Sequence, residues 1–171
     1  MMGSLQRVGF TIASISVVLD QVSKWLLRDV VHLAARGGRI HVLPFFDLTL
    51  VWNKGVSFGL LGAGSLVGRI ALIMFSLAIS GVVCHWLWTA KRLRPAVALG
   101  LILGGALGNV MDRIYFGRVF DFLDFSRLGF PWIFNIADSA ITVGVALLVA
   151  DAFFDKGSAE GKNLGAGEKL G

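Results

Sequence analysis

Four long apolar runs constrain the fold of this chain more than any other feature of its sequence. They lie at about residues 8–27, 66–89, 96–112 and 136–154. A helix needs roughly 20 mainly apolar residues to cross a hydrocarbon core about 30 Å thick. The chain is 56% hydrophobic, whereas soluble domains contain about 45–50% apolar residues. The sequence therefore predicts a mainly α, polytopic membrane protein with four transmembrane helices.

The membrane domain is predicted to occupy residues 1–156 as a single unit. The first apolar run has no small-residue cleavage pattern and carries polar residues near its end, so it is predicted to be a retained span. Pro95 directly precedes the third run, which suits the first turn of a helix. Residues 157–171 are polar and glycine-rich, and they are predicted to form a disordered tail on the cytoplasmic side.

The charged and metal-binding residue types exclude several classes of function. The net charge is +5, but the basic residues lie mostly in the connections and form no stripe along a helix, so nucleic acid is not a predicted partner. The single cysteine, Cys84, excludes an intrachain disulfide. His32, His41 and His85 are scattered along the sequence, so no metal site is predicted.

The orientation follows from the tightest basic cluster, KRLR at residues 91–94. This cluster occupies the short connection between the second and third spans, and the positive-inside rule places such a connection in the cytoplasm. Four spans then place both termini in the cytoplasm and residues 28–65 and 113–135 outside. Lysines in the tail agree with this orientation, whereas arginines in the two outer segments weaken the charge asymmetry.

The first outer segment contains a predicted strand. In FDLTLVWN, residues 46–53, the side chains alternate between mainly apolar and mainly polar positions, which indicates a half-buried strand. The following stretch NKGVSFG turns at a glycine. We therefore expect an outer β segment at about residues 37–60, which forms a small β-sheet on the outer, periplasmic face of the membrane.

Ionisable residues lie in or beside the spans, where polar groups are costly and are candidates for function. Asp20 and Lys24 are four positions apart in the first span and can form an ion pair, for which a structural bridge is the simpler interpretation. Asn135 and Asp138 open the fourth span as N-x-x-D, a spacing that resembles a helix cap with Asn135 at the N-cap. Each pair, taken alone, has a structural explanation.

The third span combines a glycine stripe with polar residues at its end. The stripe consists of Gly100, Gly104 and Gly108. Four-residue intervals place these glycines on one helix face, which favours close packing of another helix and also permits close approach of a substrate. Asn109 and Asp112 share a face, and Arg113 can hold a carboxylate or extend to the membrane surface.

The polar residues converge on one edge of the membrane in the predicted topology. They are Asp20, Asn53, Asn109, Asp112, Arg113, Asp121, Asn135 and Asp138. Independent caps and bridges have no reason to collect on one side. Two carboxylates in a partly dry site share a proton, so one can deprotonate a water while the other polarises a carbonyl. Hydrolysis by a carboxylate pair is the leading chemistry. The competing serine–lysine mechanism lacks support, because neither Lys24 nor Lys54 has a convincing serine partner.

Two other classes of protein compete with a hydrolase. A transporter or proton relay also places aspartates in spans, but it favours positions near the bilayer midplane and often has an internal repeat. The two halves of this sequence show no evident similarity. A structural membrane subunit is the third alternative, and it leaves the convergence of polar residues unexplained.

Five ordered sequence blocks resemble one known family, the bacterial lipoprotein signal peptidases. The blocks are DQVSK at 20–24, NKGVSFG at 53–59, GGALGNVMDR at 104–113, FDFLD at 120–124 and FNIAD at 134–138. The resemblance extends from the first span through the fourth and omits only the two ends of the chain. Five blocks in order, at matching membrane depth, are far more specific than any one of them.

The resemblance implies a membrane aspartic endopeptidase of the bacterial inner membrane. Such an enzyme removes signal peptides from diacylglyceryl-modified prolipoproteins by cleaving before the lipid-modified cysteine, and it uses no metal or organic cofactor. By motif, the catalytic pair is Asp121 and Asp138. The implied partners are the prolipoproteins and membrane lipids, and the protein is expected to act as a monomer.

The resemblance also implies a set of supporting residues around the pair. They are Asp20, Lys24, Asn53, Gly55, Gly105, Gly108, Asn109, Asp112, Arg113, Asn135 and Ala137. We hypothesise that Gly104 and Gly108 let the signal helix pack closely, and that Arg113 pairs with Asp112 or contacts a lipid headgroup. The strand at 46–53 and the loop to Gly59 are expected to cover the site. Asp124 is interpreted as a solvated or structural neighbour.

Overall fold

Four long helices dominate the computed structural model, which describes residues 2–55 and 66–167 and the side chains as far as residue 154. The helices are α1 (Ser4–Trp25), α2 (Leu66–Trp88), α3 (Leu93–Phe116) and α4 (Ile136–Gly167), and a π-helical turn, Leu26–Val30, continues α1. Each contains a stretch that is long and apolar enough to cross a membrane. The four predicted spans are therefore confirmed as helices.

The ends of α3 and α4 follow from local chemistry. Pro95 lies in the first turn of α3, as predicted, and the helix stops at Gly117, whose φ of 72° is a left-handed value that glycine adopts readily. The backbone of α4 continues to Gly167, although the sequence predicted a disordered tail from residue 157. Extending an existing helix by one residue costs far less than nucleating a new one, which accounts for the continuation.

Helix α3 is the centre of the bundle. In its most apolar stretch 61% of the residues are buried, compared with 11% in α2. The largest apolar core lies where α3 meets α1 and α2. Its members are Ala13, Val83, Leu87, Ala96, Leu99, Ile102 and Leu103. Because α3 contacts all three other helices, its polar residues are held rigidly relative to each of them.

The glycine stripe of α3 is a helix-packing face. A Cβ on Gly100 would collide with the backbone of Gly9 in α1, and a Cβ on Gly104 would lie 2.7 Å from Cβ of Ser16. A Cβ on Gly108 would lie 2.7 Å from a carboxylate oxygen of Asp20. These contacts confirm the packing interpretation and contradict the hypothesis that Gly104 and Gly108 receive a signal helix, because α1 already fills that face.

Gly105 lies on the face of α3 that contacts α4. A Cβ at this position would collide with the carbonyl oxygen of Ala137 and would lie 2.8 Å from Ile141. Ala137 itself is fully buried. The absence of a side chain at Gly105 therefore allows the first turn of α4, which carries Asp138, to approach α3 closely.

Replacing Gly100 by alanine should destabilise the protein by about 1–3 kcal/mol, since the new methyl group would force α1 away from α3. Gly81 of α2 is the matched control, because a Cβ there would meet nothing within 4 Å. Gly81→Ala should be neutral or stabilising by up to about 1 kcal/mol. Thermal unfolding in detergent micelles would measure both, and equal Tm values for the two variants would contradict the close contact.

A four-stranded antiparallel sheet lies beyond the ends of the helices. Its strands are β1 (Arg39–Leu43), β2 (Phe46–Asn53), β3 (Val119–Asp124) and β4 (Ile133–Phe134), in the order β1-β2-β3-β4. Short 3₁₀ turns occur at Leu33–Arg36 and Ser126–Leu128. The predicted strand at 46–53 is confirmed, and residues 56–60 of the predicted outer segment lie outside the described residues. The mainly α class with a small sheet is also confirmed.

The register of the sheet sends Asp121 away from the apolar core beneath it. Phe120 and Phe122 are buried together with Leu33. Phe120 pairs with Trp52 of β2, and Asp121 pairs with the preceding residue of that strand. Because successive side chains of a strand point to opposite faces, Asp121 lies on the other face of β3, towards the ends of α3 and α4.

Candidate active site

Asp121 is a buried carboxylate held by two amides. Its side chain is 1% exposed. One oxygen accepts a hydrogen bond from Nδ2 of Asn53 at 3.0 Å, and the other accepts one from Nδ2 of Asn135 at 2.6 Å. Burial, assisted by the nearby charge of Asp138, raises the pKa of Asp121 to about 6 despite these hydrogen bonds. Such a carboxyl group is poised to exchange a proton near neutral pH.

Asp138 lies in the first turn of α4 and is held by reciprocal cap bonds. The N–H of Asp138 donates to Oδ1 of Asn135 at 2.9 Å, and the N–H of Asn135 donates to Oδ2 of Asp138 at 3.3 Å. This arrangement is a capping box, which confirms the predicted cap at Asn135. The other oxygen of Asp138 accepts a hydrogen bond from Nδ2 of Asn109 at 2.7 Å.

Asn135 and Asn109 connect the two carboxylates. Nδ2 of Asn135 donates to Asp121 and also to Oδ1 of Asn109, at 3.2 Å. Asn109 in turn donates to Asp138. The helix cap and the carboxylate pair therefore belong to one hydrogen-bonded network, in which the chain Asp121–Asn135–Asn109–Asp138 is continuous.

A buried ion triad lies behind this network. Nζ of Lys24 is 2.7 Å from Asp20 and 2.9 Å from Asp112, and its side chain is 3% exposed. The predicted pair between Asp20 and Lys24 is confirmed. The hypothesis that Arg113 pairs with Asp112 is wrong, because Lys24 occupies that carboxylate. Arg113 follows Asp112 about 100° further round the helix, where its guanidinium donates to the carbonyl of Asn109 at 3.3 Å.

The triad fixes the backbone beside both members of the carboxylate pair. Oδ1 of Asp20 accepts the N–H of Ala137 at 3.0 Å, and Oδ2 of Asp112 accepts the N–H of Phe120 at 3.0 Å. Ala137 directly precedes Asp138, and Phe120 directly precedes Asp121. The ion triad therefore sets the position of β3 relative to the start of α4.

Gln21 completes the triad and was missed from the sequence. Its Nε2 lies 3.1 Å from Asp20, 3.0 Å from Asp112 and 3.2 Å from the carbonyl of Gly108. The available signal was its place beside Asp20 in an apolar span, where an amide needs partners.

Asp124 is structural and not solvated. It is 1% exposed, and it accepts hydrogen bonds from Thr49 at 2.7 Å, Arg39 at 2.7 Å and the N–H of Ser126 at 3.0 Å. Burial by itself raises the pKa of Asp124, but these hydrogen bonds outweigh that effect and hold the pKa well below its usual value. The structural interpretation of Asp124 is confirmed, and Asp124 ties β1, β2 and β3 together.

A groove of about 440 Å³ opens beside Asp121. Its other lining residues are Val51, Trp52, Asn53, Lys54, Gly55, Pro131, Trp132 and Ile133. Gly55 has a φ of 91°, and its N–H donates to Oδ1 of Asn53 at 2.8 Å, which orients the amide that binds Asp121. Among the described residues, no group of three or more metal-ligating side chains lies together. The loop to Gly59 lies outside the described residues from residue 56 onwards.

Comparisons with known proteins agree with this geometry. The family model described as signal peptidase (SPase) II matches residues 12–154. A lipoprotein signal peptidase of Caulobacter vibrioides is 48% identical over 153 residues, covering 87% of this chain and 88% of that protein. A protein of the same name from Rhizorhabdus wittichii is 46% identical, with the same coverage of each chain. A solved structure of a bacterial membrane enzyme aligns with a TM-score of 0.71 at 31% identity, over 86% of this chain and 88% of that one. The chain therefore belongs to the signal peptidase II family.

Proposed function

We propose that this multi-pass membrane protein is an aspartic endopeptidase that removes signal peptides from diacylglyceryl-modified prolipoproteins. It cleaves before the lipid-modified cysteine, with Asp121 and Asp138 as the catalytic pair and water as the nucleophile. The family supports removal of signal peptides from lipoproteins. We further propose that it acts as a monomer in the bacterial inner membrane, with both termini in the cytoplasm and the site near the periplasmic face.

The observation that carries this proposal is the continuous hydrogen-bonded bridge between the two carboxylates. Asn135 donates to Asp121 and to Asn109, and Asn109 donates to Asp138. Burial and the nearby charge of Asp138 favour the protonated form of Asp121, so we propose that one proton is shared across this pair. A helix cap alone would require Asn135 and Asp138, but it would not require a buried Asp121 on a separate strand.

One shared proton is sufficient for hydrolysis, because both carboxyl groups end the reaction in the protonation states in which they began it. Asp121, protonated below about pH 6, donates to the oxygen of the scissile carbonyl while Asp138 takes a proton from the attacking water. A bond forms between the water oxygen and the carbonyl carbon. When the carbon–nitrogen bond breaks, Asp138 gives its proton to the leaving nitrogen, and one hydroxyl of the diol returns a proton to Asp121.

The groove beside Asp121 gives a place for the extended residues around the scissile bond. It runs along the end of β2, where Asn53, Lys54 and Gly55 lie, and past Trp132 on the other side. A substrate anchored by a diacylglyceryl group diffuses in the bilayer, so its scissile bond arrives near the ends of the spans. The position of the sheet, beyond the apolar helices, fits such a substrate.

A cleavage assay in detergent tests the proposal. The purified chain would be given a diacylglyceryl-modified prolipoprotein and, separately, the same prolipoprotein without the lipid. We expect release of the signal peptide from the modified substrate and little or none from the unmodified one. Failure to cleave the modified substrate would overturn the peptidase proposal, and equal cleavage of both would overturn its lipid specificity.

The orientation is tested separately by reporter fusions. A reporter that is active only in the periplasm should be active when fused after residue 60 and inactive when fused after residue 92. The reverse pattern would overturn the proposed orientation without bearing on the chemistry.

We expect kcat/KM for the modified prolipoprotein to fall as the pH rises above about 6. This parameter follows ionisations of the free enzyme, and burial raises the pKa of Asp121 to about 6, so the protonated form disappears above that value. The hydrogen bond from Asn53 lowers this pKa. Asn53→Ala should therefore raise the pKa and move the descending limb to higher pH. Initial rates over the acidic and neutral range would measure the shift, and an unmoved limb would contradict the assignment of the proton to Asp121.

A further inference from the structure

Two arginines and two aromatic rings form a continuous stack at the edge of the bundle where α1 and α3 end. The guanidinium carbon of Arg28 lies 4.5 Å from the ring centroid of Phe116, and that of Arg118 lies 4.3 Å from the ring centroid of Trp52. The two rings touch, with centroids 5.7 Å apart. We call these four residues the arginine–aromatic ladder.

A third arginine lies against the same helix end. Arg69, near the start of α2, donates to the carbonyl of Ile114 in the last turn of α3. A Cβ on Gly117 would lie 3.2 Å from Nη1 of Arg69, so this guanidinium is adjacent to the residue that precedes Arg118. A cation at a helix C-terminus is favourable. Within residues 2–55 and 66–154, this carbonyl accepts from one of the five N–H donors of the guanidinium, and the others remain available.

The ladder and Arg69 together carry an excess of positive charge. Among the residues that the structure describes, Asp29 is the carboxylate within ion-pair distance of these arginines, at 2.5 Å from Arg28. Over the same described ranges, no ion pair involves Arg69 or Arg118. Three guanidinium groups and one carboxylate leave two positive charges unbalanced at this edge.

The position of the ladder matches the headgroup region of a membrane. The side chain of Arg28 is 29% exposed, and the neighbouring Tyr115 is 72% exposed. Aromatic and basic residues at the ends of apolar spans characterise the membrane–water interface. Exposed apolar side chains of α1 lie within two helical turns of Arg28, namely Val22, Trp25 and Leu26. Apolar surface therefore lies directly beneath the charged groups.

We propose that the arginine–aromatic ladder, with Arg69, binds the phosphate headgroup of an anionic phospholipid in the leaflet at this edge. An aromatic ring against one face of a guanidinium leaves its N–H groups able to donate to phosphate oxygens. Nε and Nη2 of Arg28 already donate to Asp29, which leaves its Nη1, whereas among the described residues no side-chain hydrogen bond occupies the guanidinium of Arg118. The acyl chains of the lipid then lie along the exposed apolar surface of α1. Basic pockets between transmembrane helices bind phospholipid headgroups by this chemistry. The ladder contains neither Asp121 nor Asp138, although its Trp52 also lines the groove beside Asp121. The proposal does not depend on the orientation of the protein.

Native mass spectrometry of the full chain in detergent tests this proposal. The wild-type protein should retain dioleoyl phosphatidylglycerol more strongly than dioleoyl phosphatidylcholine. Arg28→Gln/Arg118→Gln should weaken retention of phosphatidylglycerol by roughly thirtyfold, because each basic residue near an anionic lipid contributes about fivefold. Arg28→Lys/Arg118→Lys keeps the charges but loses the stacked fork, and it should show an intermediate loss.

Arg7→Gln is the matched control, since Arg7 is an exposed residue at the opposite end of α1 and its removal changes the charge by the same amount per site. It should retain phosphatidylglycerol like the wild type, and inorganic phosphate at millimolar concentration should not displace the lipid. Wild-type retention by the double glutamine variant, or an equal loss per site in Arg7→Gln, would overturn the proposal. Displacement by inorganic phosphate would show a free-phosphate site and would also overturn it. If the double variant does not fold, Arg118→Gln alone should still lose about fivefold.

Discussion

Replacing Asp121 by asparagine should lower kcat/KM for a diacylglyceryl-modified prolipoprotein by roughly a thousandfold or more, since positioned proton transfer contributes about 10²–10⁴-fold. Asparagine keeps the size of the side chain and can still bond to Asn53 and Asn135, so the fold should persist. It cannot carry the proton that Asp121 is proposed to donate. Cleavage by the purified variant, measured at equal concentrations of folded protein, would give the ratio.

Asp138→Asn should cause a loss of similar size, because the proposed base can no longer accept a proton from water. Asn135 remains as the N-cap, and an asparagine at 138 keeps an oxygen that can accept the N–H of Asn135, so the first turn of α4 should survive the change. The double variant should lose little more than either single variant, since residues that act as one unit are strongly non-additive. Additive losses in the double variant would contradict a shared proton.

Asp124→Asn is the matched control for these two variants. It makes the same chemical change three residues from Asp121, on the same strand, at a carboxylate that holds Thr49, Arg39 and the N–H of Ser126. We expect a lower Tm and near wild-type cleavage by the folded fraction. If folded Asp124→Asn were as inactive as Asp121→Asn, the assignment of Asp121 and Asp138 as the catalytic pair would be contradicted. Substantial cleavage by Asp121→Asn would contradict it as well.

Replacing Lys24 by methionine should destabilise the protein by about 3–5 kcal/mol, since it leaves two buried carboxylates without their cation. Asp20 and Asp112 each lie within 3 Å of Nζ and are at most 1% exposed. Cleavage should fall with the folded population, because these carboxylates hold the backbone beside the proposed catalytic pair. Unfolding by heat in detergent, followed by helical circular dichroism, would measure the change.

A compensated variant distinguishes the charge of the triad from its packing. Lys24→Met combined with Asp20→Asn and Asp112→Asn removes all three charges and keeps groups that can accept from Ala137 and Phe120. It should recover a large part of the lost stability, as neutral replacements of buried ion pairs commonly do. If Lys24→Met alone matched the wild type in Tm, the triad would not be a buried ionic contact.

The spans and the strand at 46–53 could be predicted because their physics is local. Apolar length fixes a membrane helix, and alternation fixes a half-buried strand. Strand β3 was not predicted, because its residues are buried on both faces and show no alternation: in Val119–Asp124 all but Leu123 are buried. Two of these buried residues are aspartates, which sequence patterns assign to turns and solvent.

Most partners of the polar side chains could not be predicted from sequence spacing, because they lie on other elements of the fold. The pair of Asp20 with Lys24 lies within one helix and was predicted, whereas the bond of Lys24 to Asp112 joins two helices. The glycine stripe indicated that something packs closely on α3, but only the fold shows that α1 fills this face. Convergence of polar residues on one edge followed from topology and favoured a carboxylate pair, whereas the choice of Asp121 and Asp138 came from the resemblance of FDFLD and FNIAD to the family.

Because Asn135 both caps α4 and binds Asp121, we expect fraying of the first turn of α4 to be coupled to loss of the contact between Asn135 and Asp121. Oδ1 of Asn135 holds the N–H of Asp138, while its Nδ2 holds Asp121. Local opening of the first turn of α4 would withdraw the amide from β3, and loss of the contact with Asp121 would free the turn to open. Amide hydrogen exchange at the start of α4 should therefore report on the proposed catalytic pair. A ligand that engages Asp121 should slow exchange at Asp138 and Ser139 even without touching either residue.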